Sequence, residues 1–443
     1  MDRRKLLLAC ALSLCAAPLA AQARLTQVEQ ALRDTILNER ADAIAYLQHV
    51  VDIPSSTLNL GGVQRVGAVF TASLDALGFK TTWVPMSPEM RRAGHLVAEH
   101  AGKPGQARIL LIGHFDTVVE PAGANFVRED STARAVGGSD MKGGDVIILF
   151  ALKALDALGL LHDLNVTVVF TGDEEDPGSP LDVARAALIE AGHKSDVALA
   201  FEGGSRSIAT VARRGSSAWR LAATGRQSHS AGVFGQGVGY GAIYELARIL
   251  DAFRQQLAGE QYLTFNAATV VGGTDVAYDT VRESGTASSK LNIVPRSAFA
   301  SGDLRFMTQE QLERTRERMR QIVAQHLPGT DAQIAFIDEY PAMPPTPGNQ
   351  RLLAFYDSAS QALGYGPVAA MDPGMRGAGD LSFVAPFMDG LEGLGALGSG
   401  AHSPAERVNL NALTMQTQRA ALMLARIGAR ASSEFARPSG GAR

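Results

Sequence analysis

At 443 residues, 46% of them hydrophobic, the chain carries more apolar material than one ordinary core absorbs and suits two domains. A formal net charge of −4, with no cluster of Lys and Arg interleaved with aromatics, gives no support to nucleic-acid binding and leaves small molecules as the expected partners. Both cysteines, Cys10 and Cys15, fall within the first 23 residues, which excludes a disulfide framework or a thiol nucleophile beyond them.

Residues 1–23 read as an export signal: a basic Met1-Asp2-Arg3-Arg4-Lys5, an apolar run over 6–21, and small residues at Ala21-Gln22-Ala23. The run is short for a membrane span and is broken by Pro18, so the expectation is a periplasmic or secreted protein with no span left after processing. Arg3-Arg4 leaves a twin-arginine route open. Next, Val28, Leu32, Ile36, Ile44, Leu47 and Val51 recur at helical spacing, predicting one helix or a broken pair over 25–51 that Pro54 ends. A second helix is predicted over 62–77, stopped by Gly78. Strands are predicted at 81–84, 96–99 and 108–113, a helix at 146–158, a strand at 166–170, a helix at 181–191 and a strand at 197–201. This alternation is that of an α/β block.

After Arg214 the pattern changes. A strand at 217–224, a helix at 240–257, strands at 263–271 and 298–306, a helix at 309–326 and a strand at 332–337 give the order βαββαβ, a ferredoxin-like unit. It is read as a domain, 215–338, inserted into a catalytic domain made of 24–214 and 339–443. The Pro-rich stretch 340–347 is a stiff return linker. A helix at 351–363, strands at 368–371 and 393–397, a loop bearing His402 and a closing helix at 410–427 follow, and the tail from Ala431 is expected to fray.

Three of these strands are apolar throughout rather than alternating, as in a parallel sheet buried on both faces, and each runs into ligand-type residues. The first opens into His114-Phe115-Asp116, the second into Asp173-Glu174-Glu175 and the third into Glu202. Open α/β sheets place their sites at that edge. Ionised carboxylates there are costly unless paired or holding a metal. Alone, His114 reads as a structural histidine and Glu174-Glu175 as a solvated turn; their coincidence points to a metal site. Asp140 precedes the helix at 146–158 and has the bland reading of an N-cap, with Gly137, Gly138, Gly143 and Gly144 allowing close backbone approach. Asp116 lies two residues after His114 and in an extended chain points to the same side, where it can brace the imidazole. The run Gly393-Leu394-Gly395-Ala396-Leu397-Gly398 fits GxGxxG, but no helix follows it, so it is no dinucleotide site. There is no G-x-S-x-G elbow.

Together, His114-Phe115-Asp116-Thr117-Val118, Gly138-Ser139-Asp140-Met141-Lys142-Gly143-Gly144, Asp173-Glu174-Glu175, Phe201-Glu202-Gly203 and Gly400-Ala401-His402-Ser403 resemble, in order, the motifs of one family of metallopeptidases. It is the dizinc aminoacylase, acetylornithine deacetylase and glutamate carboxypeptidase family. The glutamate carboxypeptidase branch is the most similar, because Glu202 stands where other branches often have Asp. The resemblance implies an α/β zinc-peptidase domain, with a mostly parallel mixed sheet between helices, and an inserted ferredoxin-like lid and dimerisation domain. It implies two Zn2+, or Co2+ or Mn2+ in their place, bridged by Asp140, with His114 and Glu202 on one ion and Glu175 and His402 on the other. Glu174 is then the general base and Asp116 the brace of His114. His229, in Gly225-Arg226-Gln227-Ser228-His229, matches a lid histidine that reaches the substrate carbonyl of the neighbouring subunit in a homodimer. Asn292 matches a substrate contact and Arg305 an ion pair inside the lid. One departure stands out: the branch usually has Arg-Pro at the return from the lid, where the Arg grips a free carboxylate, and this chain has Tyr340-Pro341. A phenol cannot supply a bidentate cationic fork, so Arg376 is the expected replacement.

The function implied is an exported dizinc hydrolase that cleaves the amide bond of a peptide or N-acyl amino acid, of carboxypeptidase or aminoacylase type. The competing reading is a catalytically silent exported receptor for peptides or amino acids on the same fold.

Overall fold

The computed structural model describes residues 24–437 apart from 122 and 281, so the expected signal at 1–23 lies outside the described residues. The 25–51 region is a pair of helices, α1 (Gln27–Asn38) and α2 (Arg40–Val51), meeting at Glu39. A capping box opens α1: the Thr26 hydroxyl accepts from the Glu29 amide while the Glu29 carboxylate accepts from the Thr26 amide. After α3 (Leu60–Asp75) come β1 (Lys80–Val84), β2 (His95–His100) and β3 (Arg108–His114), then α4 (Lys142–Ala157), β4 (Asn165–Thr171), the short helices α5 (Leu181–Ala184) and α6 (Ala186–His193), and β5 (Val197–Ala200).

The intervening segment 215–338 contributes β6 (Gly215–Gly225), α7 (Ala242–Leu257), β7 (Thr269–Gly273), a hairpin of β8 (Asp275–Asp279) and β9 (Ser284–Ser288), β10 (Ser297–Phe306), α8 (Gln309–Val323) and β11 (Thr330–Asp338). The chain then returns through α9 (Pro347–Ala362), β12 (Asp389–Glu392) and α10 (Leu410–Gly428). The strand expected at 393–397 is displaced: β12 lies just before it, and 393–397 is loop.

The main sheet has the order β1-β2-β4-β3-β5-β12. Strands β3, β4, β5 and β12 run parallel, while β1 and β2 pair antiparallel at one edge. Its faces are covered by two buried clusters. One joins α1 to α4, α9 and α10; the other is formed by Leu188, Val384, Met388 and their neighbours on the opposite side. Burial on both faces is what the continuous apolar strands required.

A separate apolar cluster, centred on Trp219, Leu246, Ile249, Phe253, Leu304 and Met319, fills the 215–338 segment. There β6, β10 and β11 pair antiparallel, with β7 and Thr264–Phe265 also on β10. The resulting order is that of the expected ferredoxin-like unit. The β8–β9 hairpin is an addition that the sequence pattern did not show. The tail is anchored rather than frayed through 437: Phe435 is buried, and Arg437 donates to the carbonyls of Ala385, Pro386 and Met388 and to Asp389. Among the described residues no helix is long and apolar enough to cross a membrane.

Candidate metal centre

The parallel register sets His114 beside Thr171 at the ends of β3 and β4, and the chain beyond β5 leads directly into Glu202. Two loops complete the cluster. The turn before α4 delivers Asp140, whose peptide bond to Met141 is cis. The loop between Gly398–Ser399 and Arg407–Asn409, a small ladder that pairs with Thr132–Arg134, delivers His402. His402 has φ of 63°, a left-handed conformation uncommon outside glycine.

Asp140 divides its carboxylate between two groups. Its Oδ1 lies 3.5 Å from His114 Nε2, which is in turn 3.4 Å from Glu202 Oε1. Its Oδ2 lies 3.0 Å from His402 Nε2, which is 3.3 Å from Glu175 Oε2. Each trio of ligand atoms lies within 4.8 Å of one another. Asp140 is not the cap of α4, since the N-cap position is Met141 and carries no side-chain cap bond.

The donor set fits a pair of divalent ions. His114 Nε2 is buried with no hydrogen-bond partner, while Nδ1 lies 3.0 Å from the Asp116 carbonyl oxygen. A proton on Nδ1 leaves the Nε2 lone pair aimed at the cluster, as a metal-ligating imidazole requires. The carboxylates are short of positive charge: burial, then Asp140 and Asp116, push Glu175 up to about 8 against the pull of His114 and His402. Burial and then the charge of Glu202 push Glu174 well above the usual carboxylate range. His402 is pushed up to about 9, foremost by its hydrogen bond to Asp140. Bound cations would supply the positive charge that this cluster of carboxylates lacks.

Asp116 braces this centre differently from expectation. Its backbone carbonyl, not its carboxylate, is the nearer acceptor for His114, the carboxylate Oδ1 standing 3.4 Å away. The carboxylate instead accepts from the amides of Glu174 at 3.0 Å and Glu175 at 3.1 Å and from the Thr57 hydroxyl at 2.6 Å. Next to this loop a cleft of about 470 Å³ opens, lined by Glu174, Glu175, Leu181, Arg305, Glu339 and Tyr340. It meets the size of a small-molecule site.

The model of peptidase family M20/M25/M40 matches residues 110–426, which includes every ligand-type residue of the cluster. The chain belongs to this family. It is 26% identical over 417 residues to carboxypeptidase G2 of Pseudomonas sp. (strain RS-16), covering 90% of this chain and 93% of that protein. It is 27% identical over 387 residues to the succinyl-diaminopimelate desuccinylase of Acidiphilium cryptum (strain JF-5), covering 84% and 95%. Among solved structures, the aminopeptidase PepT of Bacillus cereus ATCC 10987 superposes with a TM-score of 0.71 at 17% identity, over 89% of this chain and 98% of that one. The last shares the fold. This M20 protein is therefore a metallopeptidase or amidohydrolase.

In this M20 chain His229 and Asn292 pair with each other, and neither bonds to a residue of the cluster. Asn292 Nδ2 lies 3.5 Å from His229 Nε2, both are exposed, and the Ala231 amide donates to His229 Nδ1. Arg305 pairs with Asp303 at 2.9 Å, the ion pair expected. Arg376 donates to the Gly203 carbonyl at 2.9 Å, one residue beyond Glu202, and stands 3.7 Å from Glu392. Tyr340 is mostly buried, its ring packed on Phe383 at 5.0 Å.

Two supporting groups escaped the sequence reading. Glu406, 2% exposed, accepts from the amides of Gly137, Ser139 and Asp140 and from the Ser139 hydroxyl, fixing the turn that presents Asp140. Arg185, fully buried, bridges Asp173 at 2.6 Å and Asp380 at 2.7 Å, and Asp380 also accepts from Thr171. The only sequence signal for Arg185 was an arginine flanked by Val183-Ala184 and Ala186-Ala187-Leu188-Ile189, and for Glu406 a carboxylate four residues past His402.

Proposed function

We propose that this M20 protein is an exported dizinc hydrolase that cleaves the amide bond of a peptide or N-acyl amino acid, with Glu174 as general base. The observation that carries this reading is the division of the Asp140 carboxylate between the His114–Glu202 and His402–Glu175 groups. The mixture of imidazole and carboxylate donors suits zinc, and two such ions, when bound, polarise the scissile carbonyl and lower the pKa of water.

The chain's own residues supply the rest. Glu174 lies beside the ligand Glu175 and lines the cleft, and its raised proton affinity suits a group that takes a proton from water and passes it to the leaving amine. Asp116 fixes the loop bearing both glutamates through their amides. Arg376, beside Gly203, supplies the cation for a substrate carboxylate in place of the missing Arg at 340. His229 and Asn292, already paired, serve the neighbouring subunit of a homodimer formed through 215–338. The exposed apolar side chains Phe234, Ile243, Tyr244 and Val270 on that segment support such an association. Export rests on the signal pattern of residues 1–23.

The test is a substrate panel for metal-loaded protein: N-acyl and N-succinyl amino acids, dipeptides, and benzoyl- or pteroyl-glutamates, each with the wild type and Glu174→Gln. Turnover by the wild type, lowered about 10²- to 10⁴-fold in the variant with metal content retained, is the expected result. Binding of a panel member without turnover by fully loaded wild type would favour the silent receptor. Loss of metal in Glu174→Gln would make Glu174 a ligand.

A further inference from the structure

The peptide linking Glu174 to Glu175 is gripped from two sides. Its N–H donates to Asp116 Oδ2 at 3.1 Å. Its carbonyl, that of Glu174, accepts from the Tyr340 hydroxyl at 3.1 Å. The direction of the second bond is fixed by what surrounds the phenol. Arg185 Nη2 donates to the Tyr340 phenol oxygen at 3.4 Å, so the single phenol proton is free to go to the Glu174 carbonyl. Arg185 is itself immobilised by Asp173 and Asp380, and its guanidinium and the Tyr340 ring both pack on Phe383.

Tyr340 also occupies the return from the 215–338 segment. Its carbonyl accepts from the Ser216 amide at 2.9 Å, its amide donates to the Ser216 hydroxyl at 3.3 Å, and Arg213 bridges to Met343 just beyond. Two residues past the end of β11, Tyr340 therefore ties the entry strand β6 to the loop of the two glutamates.

We propose that Tyr340 is a positioning residue for Glu174: from the return segment it holds the Glu174–Glu175 peptide against Asp116, so that Glu175 reaches His402 and Asp140 while Glu174 stays beside it in the cleft. A tyrosine at this position is thus committed to orienting the base loop rather than to gripping a substrate carboxylate. This rests on the reading of Glu174 as general base.

Tyr340→Phe removes the hydroxyl and keeps the ring on Phe383, so the fold survives. Hydrogen–deuterium exchange of residues 172–178 should become about tenfold faster in the variant, with α7 unchanged. On a cleaved substrate kcat should fall about tenfold at unchanged KM and unchanged metal content. Combined with Glu174→Gln, the substitution should cost nothing further, because its effect runs through the base. Unchanged exchange over 172–178, or a full additive loss in the double variant, would overturn the proposal. Faster exchange in Tyr340→Phe together with a wild type inert on every substrate would uphold the brace and defeat the hydrolase reading instead.

Discussion

Glu406 sets the limit of what the residues alone reveal. His114, Glu175 and Glu202 stood out because each lies at or just beyond the end of an apolar strand, and although each alone has a structural reading, their coincidence at one sheet edge does not. Glu406 sits in a loop and reaches back across 266 residues to Asp140, a contact no spacing rule encodes. Its carboxylate takes four hydrogen bonds from the turn before α4, all from donors. Glu406→Gln would turn an amide NH₂ toward one of those donors and loosen the turn. Metal affinity should fall about 10- to 100-fold by competition with a chelator, the size usual for loss of a group that orients a ligand. Unchanged affinity would mean that Asp140 is held in place without Glu406. The Asp116 result makes a similar point, since alternation placed its side chain correctly but could not tell which oxygen serves the imidazole.

At the scale of elements, the strands rich in Val, Leu and Ile were found and the one poor in them was misplaced. Strand β12 is Asp389-Gly390-Leu391-Glu392, fully buried, with Asp389 held by Thr346 and Arg437 and Glu392 held by Arg213. Charges that long-range partners satisfy are invisible to a hydrophobic pattern, so the apolar residues just after them drew the expectation to 393–397. The start of α4 shows the opposite case, a feature whose sequence reading held. A Cβ on Gly144 would stand 2.0 Å from the Phe201 carbonyl oxygen, and one on Gly143 would stand 2.2 Å from that of Gly138. Gly144→Ala should push β5's exit, and with it Glu202, away from the centre. A loss of about 1–3 kcal/mol in denaturant unfolding, with reduced metal content, is expected. Gly61→Ala, where the added carbon meets only Arg65 Nη1 at 3.5 Å, is the control and should not destabilise. Wild-type stability and full metal loading in Gly144→Ala would contradict this packing.

For the whole molecule, the ferredoxin-like order of 215–338 followed from its alternating strands, while in the β8–β9 hairpin β8 alternates over only five residues and β9, Ser284-Gly285-Thr286-Ala287-Ser288, is exposed throughout and left no pattern to read. How the segment acts is a question of assembly. His229 and Asn292 are exposed and bond to each other rather than to the cluster, so they serve catalysis only if presented by a partner or by closure. Mixing His229→Ala with Glu174→Gln protein should restore part of the activity, since some sites then combine an intact base with an intact histidine from the other chain. Absence of recovery under proven subunit exchange would place His229 in its own subunit or make it structural.

The catalytic and metal-binding expectations depend on a centre of two metals split by Asp140. Anomalous X-ray diffraction at the zinc edge from metal-loaded crystals tests it directly. The account predicts two peaks about 3.5–4 Å apart, one among His114, Asp140 and Glu202 and the other among Asp140, Glu175 and His402. A single peak at full loading, or a pair that excludes Asp140, would contradict it.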